Sequence, residues 1–258
     1  MPDRDPTRFS QPDERTLRVC ALYPDLMNIY ADRGNLLVLE RRCEWRGIGF
    51  ELSASGLDEP LNAAEHDLFY IGGGQDRDQR LCAEDLIANK RAGLHEAAAR
   101  NAVILGVCGG YQLLGHSYVL GADEIPGVGL LDVRTVREDG PRLIGNVAIA
   151  VSLDPDGSQG RVLAGFENHG GRTTLGVGQA PLGRVLAGHG NDGRSGDEGA
   201  ISANTIGTYL HGPLLPKNVW FADWLIERAL GLESGALEPL TDDFEGATHA
   251  SARRAAGV

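Results

Sequence analysis

The stretch AVILGVCGGYQLLG, residues 102–115, constrains the fold more than any other part of the chain. Its first six residues are apolar without alternation, which suits a short strand buried on both faces, and parallel sheets bury such strands beneath helices on either side. After Cys108 come two glycines, and then GYQLLGHSY, which starts a helix. Gly106, Gly109 and Gly110 permit the strained backbone of a sharp strand-to-helix turn. The segment therefore predicts a buried strand whose carboxyl end carries a thiol on a tight turn.

The flanking sequence fits this reading. TLRVCALYP reads as a strand, GNLLVLERRCEWRG as a helix, GFELSAS as a strand, and HDLFYIGGG as a strand running into a glycine loop. DRDQRLCAEDLIANKRAGLHEAAARN then reads as one long or broken helix. Strands alternating with helices indicate an α/β fold with a mostly parallel central sheet flanked by helices. From about residue 129 short β-like runs separated by glycine take over, including GLLDVRTVRE, GNVAIAVSL, GRVLAGHG and GAISANTIGTYLHG, and these predict additional antiparallel strands. KNVWFADWLIERAL supplies a final core helix. The boundaries expected are a disordered N-terminal tail over 1–15, one domain over 16–232, and a flexible C-terminal tail over 233–258.

Charge narrows the function. With 24 basic and 36 acidic residues the net charge is −12, which repels nucleic acid and anionic membrane surfaces. The polar opening MPDRDPTRFSQPDER lacks a signal-peptide core, and no run approaches the ~18 apolar residues of a bilayer span, so a cytoplasmic protein is expected. Cys20, Cys43, Cys82 and Cys108 are scattered without CxxC or Cys/His spacing. That pattern argues against disulfides and structural zinc, and the first three read as packing residues.

A thiol on such a turn is a candidate nucleophile. The amides at the start of the helix favour thiolate, and the Gly109 N–H can receive a developing oxyanion. Its base must be a histidine, which then becomes the acid toward a leaving amine. Of seven histidines, His66, His95, His116 and His249 fall at element edges or in the tail, and His189 falls in a turn-like run. His169 in GFENHGGRT and His211 in GTYLHGP remain as candidates. His211 follows an apolar strand and precedes Gly-Pro, so it can project from a strand end toward the thiol.

Four ordered motifs, IGGGQDRDQ, CGGYQLLG, GFENHGGRT and GTYLHGPLLPKN, resemble class I (triad-type) glutamine amidotransferases of the cobyric acid synthase (CobB/CobQ-like) branch. Within that branch they are most similar to the GatD family, the glutaminase subunits of lipid II isoglutaminyl synthase. The resemblance covers residues 17 to 230 and implies a flavodoxin-like class I amidotransferase fold. It implies that Cys108 attacks the side-chain amide of L-glutamine and that His211 protonates the departing ammonia. By the same resemblance Arg142, in PRLIGNVAI, contacts the substrate; a guanidinium suits the α-carboxylate of glutamine. Gly73 and Gly74, with Gly109, are expected around the substrate and the oxyanion, and Gln112 either lines the pocket or caps the helix.

Two absences shape the expectation. Many class I members carry a glutamate two residues beyond the histidine, where this chain has Pro213. Either a Cys–His dyad suffices, or Glu167 substitutes as orienter, or a partner supplies the acid, the option favoured here. No G-x-x-x-x-G-K-[ST] loop occurs either, so no cofactor is expected in this subunit. The family implies a Mur-ligase-like (MurT-type) synthetase partner that uses ATP and Mg to amidate the α-carboxyl of D-glutamate in a lipid-linked precursor. The competing readings are corrinoid amidation, a non-catalytic interaction subunit, and a peptidase on the same elbow.

Overall fold

The structure is a computed structural model of the 258-residue chain, and it describes residues 15–28, 33–151, 153 and 161–258. The N-terminal tail expected over 1–15 lies, except for Arg15, outside the described residues.

The first half is a run of βα units. Strands β1 (Thr16–Leu22), β2 (Gly49–Ser55), β3 (Leu68–Ile71) and β4 (Val103–Val107) are joined by helices α1 (Arg33–Glu44), α2 (Asp76–Asp85) and α3 (Arg91–Ala99). Helices α2 and α3 are one path broken by a π-type turn at Leu86–Lys90, so the long helical stretch is interrupted rather than continuous. Inside that bend Lys90 donates to Asp85, which also accepts from Tyr23 Oη at 2.7 Å. All five residues of β4 and all four of β3 are buried, as expected of strands covered on both faces.

Beyond β4 come the short helix α4 (Gly109–Leu114), strands β5 (Ser117–Leu120), β6 (Asp123–Pro126) and β7 (Val133–Arg137), and then β8 (Leu143–Val151), β9 (Val162–His169) and β10 (Gly171–Leu175). Strands β11 (Gly183–Ala187), β12 (Asp197–Glu198), β13 (Ala200–Ser202) and β14 (Thr205–Thr208) lead to helices α5 (Leu214–Lys217), α6 (Val219–Ala229) and α7 (Asp243–Ala256).

The central sheet has the order β13-β14-β4-β3-β1-β2, parallel except for the β13 edge. The expected antiparallel strands do not all extend it. Together with β5 and β6, which precede the expected β-rich region, many of them form two separate four-stranded sheets, β10-β7-β5-β6 and β12-β11-β8-β9, antiparallel except for the β5–β7 pair. A single antiparallel bridge between Phe166 and His211 ties the second of these to the chain leaving β14.

The C-terminal segment is a correction. Residues 243–256, expected as a flexible tail, form α7, which packs on α5, β8 and β9. Its fastenings are polar, which is why no apolar stripe announced it. His249 Nδ1 bonds the Lys217 carbonyl at 2.9 Å and Asn146 donates to the Ala255 carbonyl at 3.0 Å. At its start, Asp242 accepts two 2.8 Å bonds from the buried Arg42, which also pairs with Asp223 of α6. Asp243 and Glu245 in the first turn and Arg253 and Arg254 in the last match the helix dipole. No helix among the described residues is long and apolar enough to cross a membrane.

Candidate active site

The turn that carries Cys108 is shaped by close packing. Cys108 has φ 54° and ψ −106°, a conformation rarely adopted by L-residues and costing on the order of 1–3 kcal/mol. Its backbone is fixed from two sides: the Cys108 N–H donates to Thr208 O at 2.8 Å, and the Cys108 carbonyl accepts from Gln112 N at 3.2 Å. The glycines are sterically required. A Cβ at Gly110 would collide with the Ile71 carbonyl, and one at Gly106 would come within 2.8 Å of the Gly110 backbone. The thiol residue is 8% exposed, so it is sheltered without being sealed. Helix α4 has only six residues, so it offers the sulfur nearby amides rather than a long dipole.

The glycine loop after β3 lies against this turn. Gly110 N–H donates to Gly72 O at 3.0 Å, and a Cβ built on Gly109 would sit 3.1 Å from Gly74 N. The amides of Gly74 and Gly109 are thus neighbours, as an oxyanion hole requires, with Gly73 between Gly72 and Gly74 in the same loop. Since the Gly110 N–H is occupied, Gly109 is the elbow amide left to serve an oxyanion.

His211 arrives from the adjacent strand. Strands β14 and β4 are hydrogen-bonded neighbours with Thr208 opposite Val107, so Cys108 and His211 leave the carboxyl ends of paired parallel strands. His211 is locked by its bridge to Phe166, N–H to O at 2.9 and 3.1 Å, and its ring meets the Phe166 ring edge-on at 6.0 Å. Burial lowers its pKa to about 4, helped by the charges of His169, Lys217 and Arg142. At neutral pH His211 is therefore neutral and able to accept a proton.

Behind the pair runs a polar network that sequence reasoning missed. Tyr209 Oη bonds Thr173 Oγ1 at 2.6 Å and accepts from Gln112 Nε2 at 3.1 Å, while the His169 ring stacks on Tyr209 with centroids 3.6 Å apart. Glu198, fully buried, accepts from Tyr209 N at 2.7 Å and from Thr208 Oγ1 at 3.0 Å; burial pushes its pKa up to about 8. The signal for Glu198 was weak, one of two adjacent acids in the glycine-containing run SGDEGAIS.

These contacts give two expected site residues their partners. Gln112 Oε1 accepts from Gln79 at 2.6 Å and its Nε2 donates to Tyr209, so it braces the elbow against the histidine arm. Glu167 is not the orienter of His211. Its neighbour Phe166 faces His211, and strand alternation sends Glu167 to the opposite face. There its carboxylate accepts from His189 N at 2.6 Å and Gly190 N at 2.9 Å, and it lies 3.9 Å from His169 Nε2. His169, the other histidine candidate, donates Nδ1–H to Gly171 O at 2.8 Å and supports Tyr209. Arg142 stands at the rim, with Nε on Asn168 Oδ1 and Nη2 on Asn168 O, both at 2.7 Å, close enough for its charge to depress His211.

Comparisons with known proteins agree with this geometry. The family model for the CobB/CobQ-like glutamine amidotransferase domain matches residues 18–219. The chain is 39% identical over 222 residues to the lipid II isoglutaminyl synthase (glutamine-hydrolyzing) subunit GatD of Staphylococcus aureus, covering 86% of this chain and 87% of that one. To the corresponding subunit of Streptococcus pneumoniae it is 36% identical over 220 residues, covering 85% and 82%. It is 35% identical to the cobyric acid synthase of Pelotomaculum thermopropionicum, but covers only 38% of that protein and 74% of its own length. Among solved structures, PurLQS from Thermotoga maritima shares the fold at TM-score 0.57 and 22% identity, covering 76% of this chain and 87% of that one. With its elbow, its histidine arm and its glycine loop all within the matched span, the chain belongs to the CobB/CobQ-like glutamine amidotransferase family.

Proposed function

We propose that this chain is the glutaminase subunit of a lipid II isoglutaminyl synthase. The observation that carries the chemistry is the placement of Cys108 and His211 at the ends of two strands joined by the Cys108 N to Thr208 O bond. Neutral His211 takes the thiol proton as Sγ bonds to the amide carbon of glutamine. The carbonyl oxygen becomes an oxyanion facing the Gly109 and Gly74 amides. Collapse breaks the C–N bond, and imidazolium gives its proton to the departing ammonia. Water, deprotonated by the same imidazole, then hydrolyses the thioester to glutamate and restores the thiol.

The acceptor and partner in this reading are supported by likeness to the two GatD relatives, of which the chain covers 87% and 82%, against 38% of the cobyric acid synthase. Ammonia would pass to a Mur-ligase-like subunit that uses ATP and Mg to amidate D-glutamate of the precursor, in a cytoplasmic heterodimer. That partner also supplies the orienting acid in this reading. Glu167, the acid of this chain considered for that role, is committed to the His189–Gly190 amides.

Cys108→Ala should abolish ammonia release from glutamine, while the assembled complex still amidates precursor from high external ammonium. Unchanged glutamine turnover would end the assignment, and amidation of a corrinoid in place of the peptide precursor would favour the alternative.

A further inference from the structure

One face of the sheet β10-β7-β5-β6 looks onto the elbow. Tyr118 pairs with Thr135, and Thr135 with Thr173, in register across β5, β7 and β10. The hydrogen-bond run from Thr135 Oγ1 through Thr173 Oγ1 at 2.7 Å to Tyr209 shows that this face points at the catalytic arm. Arg137 stands two residues further along β7 and therefore on the same face. Its strand partner Gly171 confirms the direction, because a Cβ there would lie 2.6 Å from Gln112 Nε2 and 3.3 Å from Tyr209 Oη.

Arg137 is half-buried at that position. Its guanidinium packs directly on Gly170, so closely that any Cβ at 170 would overlap it, with Nε at 2.8 Å. Among the described residues no hydrogen bond or ion pair of its side chain is present. Arg142 bonds Asn168 through Nε and Nη2, and Arg172 bonds the Gly170 and Pro141 carbonyls. Across the face, Asp76 opens α2 immediately after the Gly72–Gly74 loop, with Oδ1 3.4 Å from Tyr118 Oη. Tyr118 feels all three charges. Burial and then Asp76 push its pKa up to about 12 in spite of Arg137 and Arg142, which oppose the rise.

A guanidinium held in place without a partner, and a carboxylate bonded by Tyr118 from the same sheet face just after the glycine loop, offer the two charges that a small zwitterion needs. We propose that Arg137 joins Arg142 in holding the α-carboxylate of glutamine and that Asp76 holds its α-ammonium, so that the site reads the free amino-acid head group. This rests on the glutaminase reading above and assigns two specificity residues to it. It also gives a physical reason for rejecting peptide-linked glutamine, which lacks both charges at that end.

The test is steady-state ammonia release by the full chain, with its synthetase partner, from three amides: L-glutamine, glutaramate, which lacks the α-amino group, and 4-aminobutanamide, which lacks the carboxylate. Asp76→Asn should raise KM for glutamine about tenfold or more, the scale of one lost charge-assisted hydrogen bond, and leave glutaramate unchanged. Arg137→Ala should raise KM for glutamine and glutaramate alike and leave 4-aminobutanamide unchanged. In both variants kcat should move less than KM, and Arg137→Lys should recover part of the loss. A KM increase shared by all three amides, or none, would overturn the proposal. Wild-type protein inert toward glutamine would instead strike the glutaminase reading. Melting temperatures matched to wild type establish that each variant folds; if Arg137→Ala does not, Arg137→Gln carries the same comparison.

Discussion

The two halves of the site are built by different means. Cys108 is placed locally: an apolar strand, an unfavourable φ and glycines that leave no room for a Cβ fix it within a few residues of sequence. His211 is placed remotely, by Phe166 from 45 positions upstream, by Glu198 through Tyr209 N, and by a Tyr209 hydroxyl shared with Thr173 and Gln112. The thiol turn thus depends on steric exclusion and the histidine arm on a buried hydrogen-bond network. Packing fails abruptly when overfilled, whereas a network loses function by degrees and responds to pH.

The sharpest way to break this contrast is Gly110→Ala. A methyl group against the Ile71 carbonyl has no flexible side chain to displace, so destabilisation should reach or pass the upper end of the ~1–3 kcal/mol typical of overpacking. Chemical denaturation would measure it, and a near-neutral result would show that the turn relaxes easily.

On the histidine side, two buried groups should give opposite pH responses. His211, with its pKa lowered to about 4 from a usual 6.5, favours the folded state fully above pH 6.5, and that contribution is lost as pH falls from 6.5 to about 4. Glu198, raised to about 8 from a usual 4.5, does the reverse: its contribution is present below 4.5 and is lost as pH rises through about 8. Comparing stability against pH for wild type, His211→Asn and Glu198→Gln should therefore flatten opposite limbs, each by at most about 1.4 kcal/mol per pH unit. Parallel curves for all three would contradict the burial of both groups.

The smallest effect should come from the C-terminal helix. His249→Ala removes one bond to the Lys217 carbonyl at a partly exposed site, so a loss of about 0.5–1 kcal/mol is expected, with no change in glutamine KM. A large fall in activity would place α7 in the site's support.

The same division explains what could be read from the chain. The parallel sheet, the elbow and the glycine loop were legible because each depends on neighbours in sequence. Gln112 was placed near the elbow, but its bracing bonds were not legible, since its amide partners, Gln79 and Tyr209, lie 33 and 97 positions away. Glu167 failed as orienter because strand alternation, invisible until β9 is paired, turns it away from His211. Glu198 resembled a loop acid, and α7 looked like a tail because it docks by polar contacts.

The central claim is that Cys108, on a turn beside His211, is the nucleophile toward glutamine. The most direct test is covalent labelling by the glutamine analogue 6-diazo-5-oxo-L-norleucine, followed by mass spectrometry of the digested protein. The account predicts one adduct on Cys108, none on Cys20, Cys43 or Cys82, and labelling that is slowed in His211→Ala and blocked by excess glutamine. An adduct on any other cysteine, or labelling of Cys108 indifferent to His211 and to glutamine, would contradict it.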